Sequence, residues 1–289
     1  MTVINTNINA LQAANASNSA AAMTSQAMTR LSTGLRINSA ADDAAGLSIA
    51  TSMTSQINGM NQGIKNANDG ISLAQTAEGS LTEVTNMLQR VRELAVQSAS
   101  GTYSSSDRDQ MQSEVTSLTT QISNVLGTTT FNGVGLFSTS SSTSVSFVIQ
   151  AGANNSTSDQ ITISSTGFDG AQLVNTLSGG KGFQVNDTTG SAGTGVANAQ
   201  TTIDNVDAML ANVNTVNANF GAGQSQLQSA VNNMTNNVTN LSAARSRIED
   251  TDYSAESTAM AKAQILSQAS TAMIAQANQS QQNVLSLLK

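Results

Sequence analysis

The strongest constraint on this chain is an apolar pattern whose steps alternate between three and four residues. The pattern slips once after Leu88, and only Glu78 and Thr85 among its members are polar. Its members are Ala50, Met53, Ile57, Met60, Ile64, Ala67, Ile71, Ala74, Glu78, Leu81, Thr85, Leu88, Val91 and Ala95. A repeat of 3.5 residues kept over so many turns indicates a coiled-coil helix. At 1.5 Å per residue this helix is about 70 Å long, and Asp42 and Asp43 lie where it begins.

A second pattern of the same kind lies far along the chain. Its members are Ile203, Val206, Leu210, Val213, Asn217, Phe220, Gln224, Leu227, Val231, Met234, Val238, Leu241, Arg245 and Ile248. Between the two, a shorter helix carries an apolar stripe of Met111, Val115, Leu118, Ile122 and Val125. Two long seams so far apart in sequence predict antiparallel pairing. The expected fold is mainly α, an elongated antiparallel coiled-coil helical bundle.

The stretch from residue 127 to about residue 195 follows neither pattern, because Ser, Thr and Gly dominate it. Residues 146–149 and 160–163 have the composition of strands. The sequence Phe131-Asn132-Gly133 is a turn signal. We therefore expect a small β-rich segment in the middle of the chain, and no large inserted domain.

Neither end of the chain carries charged side chains, since residues 1–29 and 263–288 contain no Asp, Glu, Lys or Arg. Both ends have helical apolar stripes, although a helix exposed to water usually has a charged face. Segments of this kind bury too little to be stable alone, and they order when neighbouring copies surround them. The pattern indicates a polymerisation element. Its candidate assembly side chains are Ile4, Ile8, Leu11, Leu266, Met273, Val284, Leu285, Leu287 and Leu288.

The composition excludes several classes of function. Without His and Cys, the chain lacks the commonest general base, the commonest transition-metal ligand and any thiolate. We therefore expect no catalytic residue, no metal and no cofactor. A net charge of −7 argues against nucleic-acid binding. The N-terminus lacks the features of a conventional secretory signal, and no apolar run is long enough for membrane insertion.

Several motifs in this sequence resemble those of the bacterial flagellins. On the N-terminal side these are LSTGLRINSAADDAAGLSI at residues 31–49, NANDGISLAQTAEG at 66–79 and LQRVRELAVQS at 88–98. On the C-terminal side they are ARSRIEDTDYSAE at 244–256 and NVLSLLK at 283–289. Motifs this long are specific, and the similarity covers about the first 137 and the last 90 residues.

The resemblance implies a division of the chain. Residues 1–41 would form an N-terminal inner-tube helix and junction, and residues 251–289 the C-terminal inner-tube helix. Residues 42–126 and 199–250 would be helices of a rod domain. Residues 127–198 would be a short β-rich part of that rod, without the large outer domains of many flagellins.

The resemblance also implies a function and a set of partners. The chain would be a secreted, extracellular subunit that polymerises with itself into the flagellar filament for swimming. It would be exported unfolded, with a flagellar export chaperone, the secretion apparatus, and the filament cap and hook-junction proteins as partners. The alternative within the family is a hook–filament junction protein. The metallopeptidase insert of some flagellins needs two His residues, which this chain lacks.

Three residues match family positions that a host Toll-like receptor recognises, namely Arg90, Leu94 and Glu114. The resemblance implies a surface for subunit contact and possible receptor recognition. The alternative, from helical position alone, is a solvated charged face with one peripheral Leu.

The densest charge cluster contains Arg245, Arg247, Glu249, Asp250 and Asp252. Clustered carboxylates suggest acid–base catalysis or calcium binding, but the alternating oxygen ligands and central Gly of a calcium loop are missing. Ion pairs and helix-end charges at a junction are the preferred interpretation. Arg36, Asp42 and Asp43 lie at the corresponding N-terminal junction. We expect the two charged regions to face each other or an adjacent subunit.

Overall fold

A computed structural model describes residues 6–139, 143–168, 182–187 and 192–286. The chain divides into two compact units. The terminal unit combines residues up to Ile57 with residues from Thr239 onwards, and the central unit is Asn58–Val238. Helices α2 and α4 each contribute one end to the terminal unit and the rest to the central unit.

The described residues are mainly helical, as the sequence predicts. The helices are α1 (Ile8–Thr33), α2 (Ala44–Ser98), α3 (Ser105–Thr128), α4 (Ala192–Glu249) and α5 (Tyr253–Ser286). The strands are β1 (Thr130–Phe131), β2 (Val134–Gly135), β3 (Val145–Gln150) and β4 (Gln160–Ser165), with a 3-10 turn at Thr157–Asp159 before β4. Among the described residues, no helix has the length and apolarity needed to cross a membrane.

The core of the central unit lies between α2, α3, α4 and the strands. In it, Leu227 of α4 lies against Gly70 of α2, and Asp207 of α4 pairs with Arg92 of α2. The two helices are therefore antiparallel, which confirms the predicted pairing. Most of the predicted α2 seam is buried, and the buried face also includes Leu73, Ala77, Val84 and Leu94. This face is wider than a two-helix seam because α3 and the strands also pack on it.

Along α4, every second position of the predicted apolar stripe is buried as far as Met234, and the prediction is wrong for several positions between them. Val206, Val213, Phe220, Leu227 and Met234 are buried as expected. The positions between them are shifted by one residue, so that Met209, Val216 and Gly223 are buried in place of Leu210, Asn217 and Gln224.

Contact with strand β4 explains this shift. A Cβ atom added to Gly223 would lie 2.7 Å from Cγ1 of Ile163. A real side chain needs more room than that, so only glycine permits this approach. Helix α4 therefore turns toward the strand as well as toward α2.

The β-rich segment forms two antiparallel hairpins. In the first, Phe131 pairs with Val134 across Asn132 and Gly133, whose φ angles of 50° and 80° suit a two-residue turn. In the second, β3 pairs with β4 from Val145–Ser165 to Gln150–Gln160. Phe147, Ile149, Ile161 and Ile163 face the core. The predicted runs at 146–149 and 160–163 are confirmed as strands.

In the terminal unit, α1 and α5 pack against each other along an antiparallel seam of small residues. Nδ2 of Asn7 donates to the carbonyl of Ala277 over 3.2 Å, and at the other end Arg30 lies 3.7 Å from Glu256. The buried residues of the two helices are Ala20, Ala27, Ala263 and Ser270. Such side chains allow close approach but bury little apolar area.

Many Ser and Thr hydroxyls on the helices donate to the carbonyl four residues earlier. Thr24 donates to Ala20 over 2.9 Å, and Thr215 to Ala211 over 2.9 Å. Other hydroxyls of this kind are those of Thr29, Thr33, Thr51, Thr54, Ser72, Thr76, Thr82, Thr235, Thr258, Thr271 and Ser280. These polar side chains satisfy their donors within their own helix.

Candidate assembly and recognition surfaces

The terminal unit presents large apolar side chains to solvent. The candidate assembly residues on it are exposed by 52% at Ile8, 58% at Leu11, 40% at Leu266 and 62% at Met273. Ile265, next to Leu266, is 65% exposed. These side chains lie outside the α1–α5 seam, which uses other residues. They remain available to a partner.

The exposed apolar side chains lie on the uncharged segments of helices α1 and α5. Residues 1–29 and 263–288 contain no ionisable side chain, so a partner could cover this surface without removing charges from water, which is costly. Ile4, Leu287 and Leu288 fall outside the described residues, as do the side chains of Val284 and Leu285.

The junction residues from the two ends of the chain are brought together mainly through backbone atoms. Nη2 of Arg36 donates to the carbonyl of Ile248 over 2.7 Å, and its backbone nitrogen donates to the carbonyl of Glu249 over 2.6 Å. Leu35 and Asp250 form a β-bridge. The junction between α1 and α2 is thereby tied to the end of α4.

Three of the junction carboxylates, those of Asp42, Asp43 and Asp252, act as helix or turn caps. Oδ1 of Asp43 accepts the backbone N–H of Gly46 at the start of α2, over 2.9 Å. Oδ2 of Asp42 accepts the backbone N–H groups of Asn38 and Ser39, and these bonds, the one from Asn38 foremost, lower the pKa of Asp42 below its ordinary value. Asp252 accepts the backbone N–H of Ser254 over 2.9 Å.

The junction cations bind neutral oxygens. Nη1 of Arg245 donates to Oγ1 of Thr54 over 3.1 Å, and Nε of Arg247 donates to the carbonyl of Ala243 over 3.2 Å. No group of three acidic residues in the described part of the chain is arranged to hold a metal. The hydrogen bonds of Asp43 and Asp252 fit helix capping.

Arg90, Leu94 and Glu114 lie together where α2 meets α3. Nε of Arg90 donates to Oε1 of Glu114 over 2.8 Å, with the two side chains 49% and 45% exposed. Leu94 is only 2% exposed. The prediction of a peripheral Leu is therefore wrong, because α3 covers this side of α2 and the apolar face extends beyond the 3.5-residue seam.

The sequence did not point to the buried ion pair of the central unit. Arg108 and Asp187 are 1% and 3% exposed and lie 3.6 Å apart. Nε of Arg108 donates to the carbonyl of Ser98 over 3.0 Å, and Asp187 accepts the backbone N–H of Gly195. Arg108 lies three residues before Met111 and seven before Val115, on the same face of α3 as this apolar stripe. That position was the one feature of the sequence that indicated its burial.

Burial raises the pKa of Asp187, but other interactions outweigh this effect. The N–H of Gly195, the hydroxyl of Ser105 and the charge of Arg108 favour the carboxylate, so the pKa lies below its ordinary value of 3.8. Asp187 is therefore a buried carboxylate that stays ionised.

The ion pair holds a short segment, residues 182–187, against the helices. The backbone N–H of Val185 donates to Oε1 of Gln112 over 2.6 Å, and the N–H of Gln184 donates to Oγ1 of Thr202 over 2.9 Å. Phe183 and Val185 are fully buried. The segment thus completes the core with apolar side chains while its backbone is satisfied by polar ones.

Both ends of the chain match models of one protein family. Residues 4–142 match the bacterial flagellin N-terminal helical region, and residues 203–288 match the bacterial flagellin C-terminal helical region. A flagellin of Bacillus subtilis is 40% identical over 307 aligned residues that cover 99% of each chain. Flagellin B of Vibrio cholerae is 35% identical over 371 aligned residues, again covering 99% of each. The crystal structure of Bacillus cereus flagellin is 28% identical, covers 63% of this chain and 94% of that one, and has a TM-score of 0.44.

Proposed function

This chain belongs to the family of bacterial flagellins, and on that premise we propose that it polymerises into the extracellular filament that drives swimming. The family is structural and not enzymatic. The observation that carries the proposal is the exposed, uncharged apolar surface of the terminal unit, including Leu11, Ile265 and Met273. Covering this surface with further copies of the chain would remove it from water.

The seam between α1 and α5 supports this assignment. Because the seam buries mainly Ala and Ser side chains, the pair gains little stability on its own. Contacts to neighbouring subunits would supply the missing apolar burial. In an open helical array, such contacts join different surfaces of successive copies.

Seeded polymerisation tests the proposal. Purified monomer is added to short filament seeds, and elongation is followed by electron microscopy for the wild type, an Ile265→Gln/Leu266→Gln variant and a chain lacking residues 284–289. Gln keeps helix propensity while removing apolar surface. We expect long filaments from the wild type and few or none from the other two.

The matched control replaces an exposed apolar residue of the central unit. Val96 is 50% exposed and also lies on a helix, and Val96→Gln is expected to elongate. If the control fails as completely as the Ile265→Gln/Leu266→Gln variant, the assignment to the terminal unit is wrong. Wild-type chains that stay monomeric, or form only stubs, would favour a hook–filament junction protein.

Export through the flagellar secretion apparatus is the second part of the proposal. The chain would pass through unfolded, with an export chaperone, and assemble between hook-junction proteins and the filament cap. The absence of Cys and Pro supports this route, because neither crosslinks nor slow prolyl isomers would delay threading and refolding. The chain should appear in the medium of cells with an intact apparatus. It should stay inside cells that lack the export gate.

Recognition by a host Toll-like receptor is the third part. Arg90 and Glu114 present a half-exposed ion pair, whereas buried Leu94 would act by holding α2 against α3. Arg92 and Asp207 form a matched control pair at the same 2.8 Å and similar exposure. In reporter cells expressing the receptor, Arg90→Gln should weaken signalling far more than Arg92→Gln. Equal effects would indicate a general charge effect and count against a defined epitope.

A further inference from the structure

The methionines of the two units differ sharply in exposure. In the terminal unit three are exposed: Met23 by 44%, Met28 by 57% and Met273 by 62%. In the central unit three are buried: Met111 at 8%, Met209 at 0% and Met234 at 6%. The rate at which a thioether is oxidised follows its exposure. The described methionines therefore include an exposed and a buried class, while Met53, Met60, Met87 and Met260 are half-buried.

The exposed class lies on the surface assigned to assembly. Met23 is three residues from buried Ala20, and Met28 directly follows buried Ala27, so both border the α1–α5 seam. Met273 lies seven residues, two helical turns, beyond Leu266 on α5. All three lie in the segments without charge.

We propose that Met23, Met28 and Met273 form a peroxide-sensitive modification site that blocks addition of the monomer to a filament. This inference rests on the proposed function. In the reaction, a sulfur lone pair attacks one oxygen of hydrogen peroxide and the O–O bond breaks. The attacked oxygen stays on the sulfur and gives its proton to the departing hydroxide. The sulfur is thereby oxidised by two electrons to the sulfoxide, and the peroxide is reduced, releasing one water.

The modification converts an apolar, flexible side chain into a polar one. A sulfoxide oxygen buried in an interface without a hydrogen-bond donor is unfavourable. Many hydroxyls of these helices already donate within their own helix and are not free to bind it. In a filament the same sulfur atoms would be covered by neighbouring copies, so oxidation would act before assembly and not after it.

Mass spectrometry of peptides tests the accessibility step. Monomer is treated with dilute hydrogen peroxide and the rate of oxygen addition is measured at each methionine. We expect Met23, Met28 and Met273 to react on the order of tenfold faster than Met111, Met209 and Met234, since reactivity follows exposure. In assembled filaments the three should be protected. Equal rates at all six in the monomer would overturn the inference.

Seeded elongation tests the consequence, with each variant compared with its own untreated rate. Oxidised wild type should elongate on the order of tenfold more slowly than untreated protein, and methionine sulfoxide reductases should restore the rate. A Met23→Leu/Met28→Leu/Met273→Leu variant should lose the sensitivity to peroxide, whereas Met111→Leu/Met209→Leu/Met234→Leu should keep it. Circular dichroism checks that both variants are folded.

The outcomes separate the inference from the proposed function. If untreated wild type does not elongate, the proposed function fails and the inference fails with it. If untreated chains elongate and chains fully oxidised at the three positions elongate equally well, only the inference is wrong. A Met23→Gln/Met28→Gln/Met273→Gln variant imitates the polar change without an oxidant, and normal elongation by it would also count against the inference.

Discussion

The central and terminal units bury different kinds of side chain. The central unit buries Leu81, Met209 and Phe220 completely. The rings of Phe137 and Phe220 pack edge to face, with their centroids 6.4 Å apart. The terminal unit joins two long helices through residues such as Ala20 and Ser270, while Ile265 and Met273 stay in solvent. The same helical periodicity thus serves a core in one unit and a thin seam in the other.

The difference shows that apolar spacing alone does not say where a helix finds its partner. In the central unit the large apolar residues meet within one chain. On α1 and α5 of the terminal unit, Leu11, Ile265 and Met273 lie outside the intramolecular contact, so their burial depends on something outside the monomer. A chain built this way can keep a stable folded part while the part with exposed apolar side chains gains order on assembly.

Removing a large core side chain should give the greatest contrast. Phe220→Ala is expected to destabilise the central unit by about 3–5 kcal/mol, because it loses buried apolar contacts and leaves a cavity. Leu266→Ala, at a position 40% exposed, should change monomer stability by less than about 0.5 kcal/mol. Urea unfolding of the monomer measures both. Comparable losses would show that the terminal surface is already covered in the monomer.

Breaking the buried ion pair should come next. Asp187→Asn leaves Arg108 buried without its counter-charge, and a loss of about 3 kcal/mol is expected for the central unit. The loss should appear in urea unfolding at neutral pH. Hydrogen exchange should show it at residues 182–187 first. A neutral result would mean that Arg108 reaches water when the partner charge is removed.

The same carboxylate predicts a pH dependence. The pKa of folded Asp187 lies below its ordinary value of 3.8, so its stabilisation is complete above pH 3.8 and is lost as the pH falls through the folded pKa. Unfolding free energy measured from neutral pH downwards should decline less steeply in Asp187→Asn than in the wild type. Parallel curves would contradict the prediction.

Enlarging the thin seam should have a smaller and more local effect. Ala27 of α1 is 2% exposed. Ala27→Leu is expected to lower the free energy of unfolding by about 1–3 kcal/mol, because the larger side chain overpacks the seam. Hydrogen exchange should accelerate in α1 and α5 and stay unchanged in α3. Faster exchange in α3 would show that the two units do not respond separately. Met28→Leu, at an exposed position next to Ala27, serves as the matched control.

The exposed ion pair of the central unit should give the smallest effect. Arg92 and Asp207 lie 2.8 Å apart and are 45% and 49% exposed. Asp207→Asn should therefore cost less than about 1 kcal/mol. If Asp207→Asn lowered the free energy of unfolding as much as Asp187→Asn, the buried and exposed ion pairs would not differ in their contribution to stability.

Long-range periodicity predicted most of the fold. The repeat through Leu81 and Leu88 identified α2 and its partner α4, and Asn132-Gly133 identified a turn whose φ angles match. The repeat could not show that β4 approaches Gly223, because that contact depends on tertiary packing. The burial of Leu94 escaped prediction for the same reason, since α3 covers a side of α2 that lies outside the seam.

The functional surfaces were less predictable than the helices. The uncharged termini pointed to segments that present exposed apolar side chains, but their pattern did not reveal that Ala and Ser residues make the α1–α5 contact while Leu266 and Met273 remain exposed. The Arg108–Asp187 pair joins residues far apart in sequence. A single Arg at a helix position that otherwise carries apolar residues is weak evidence that its side chain is buried. Burial of charge depends on partners that only the folded chain brings together.

The hydroxyls that donate to their own helix, such as those of Thr24 and Thr258, have a consequence for how copies fit together. A contact held by hydrogen bonds between helices is locked to one register, because any shift breaks several bonds at once. A hydroxyl that donates to a carbonyl of its own helix keeps that hydrogen bond when the helix shifts, so it does not fix the register. Two surfaces of this kind can slide by a fraction of a turn without breaking these hydroxyl hydrogen bonds. The hydroxyls then impose no preference for one register, which allows closely spaced arrangements of similar energy.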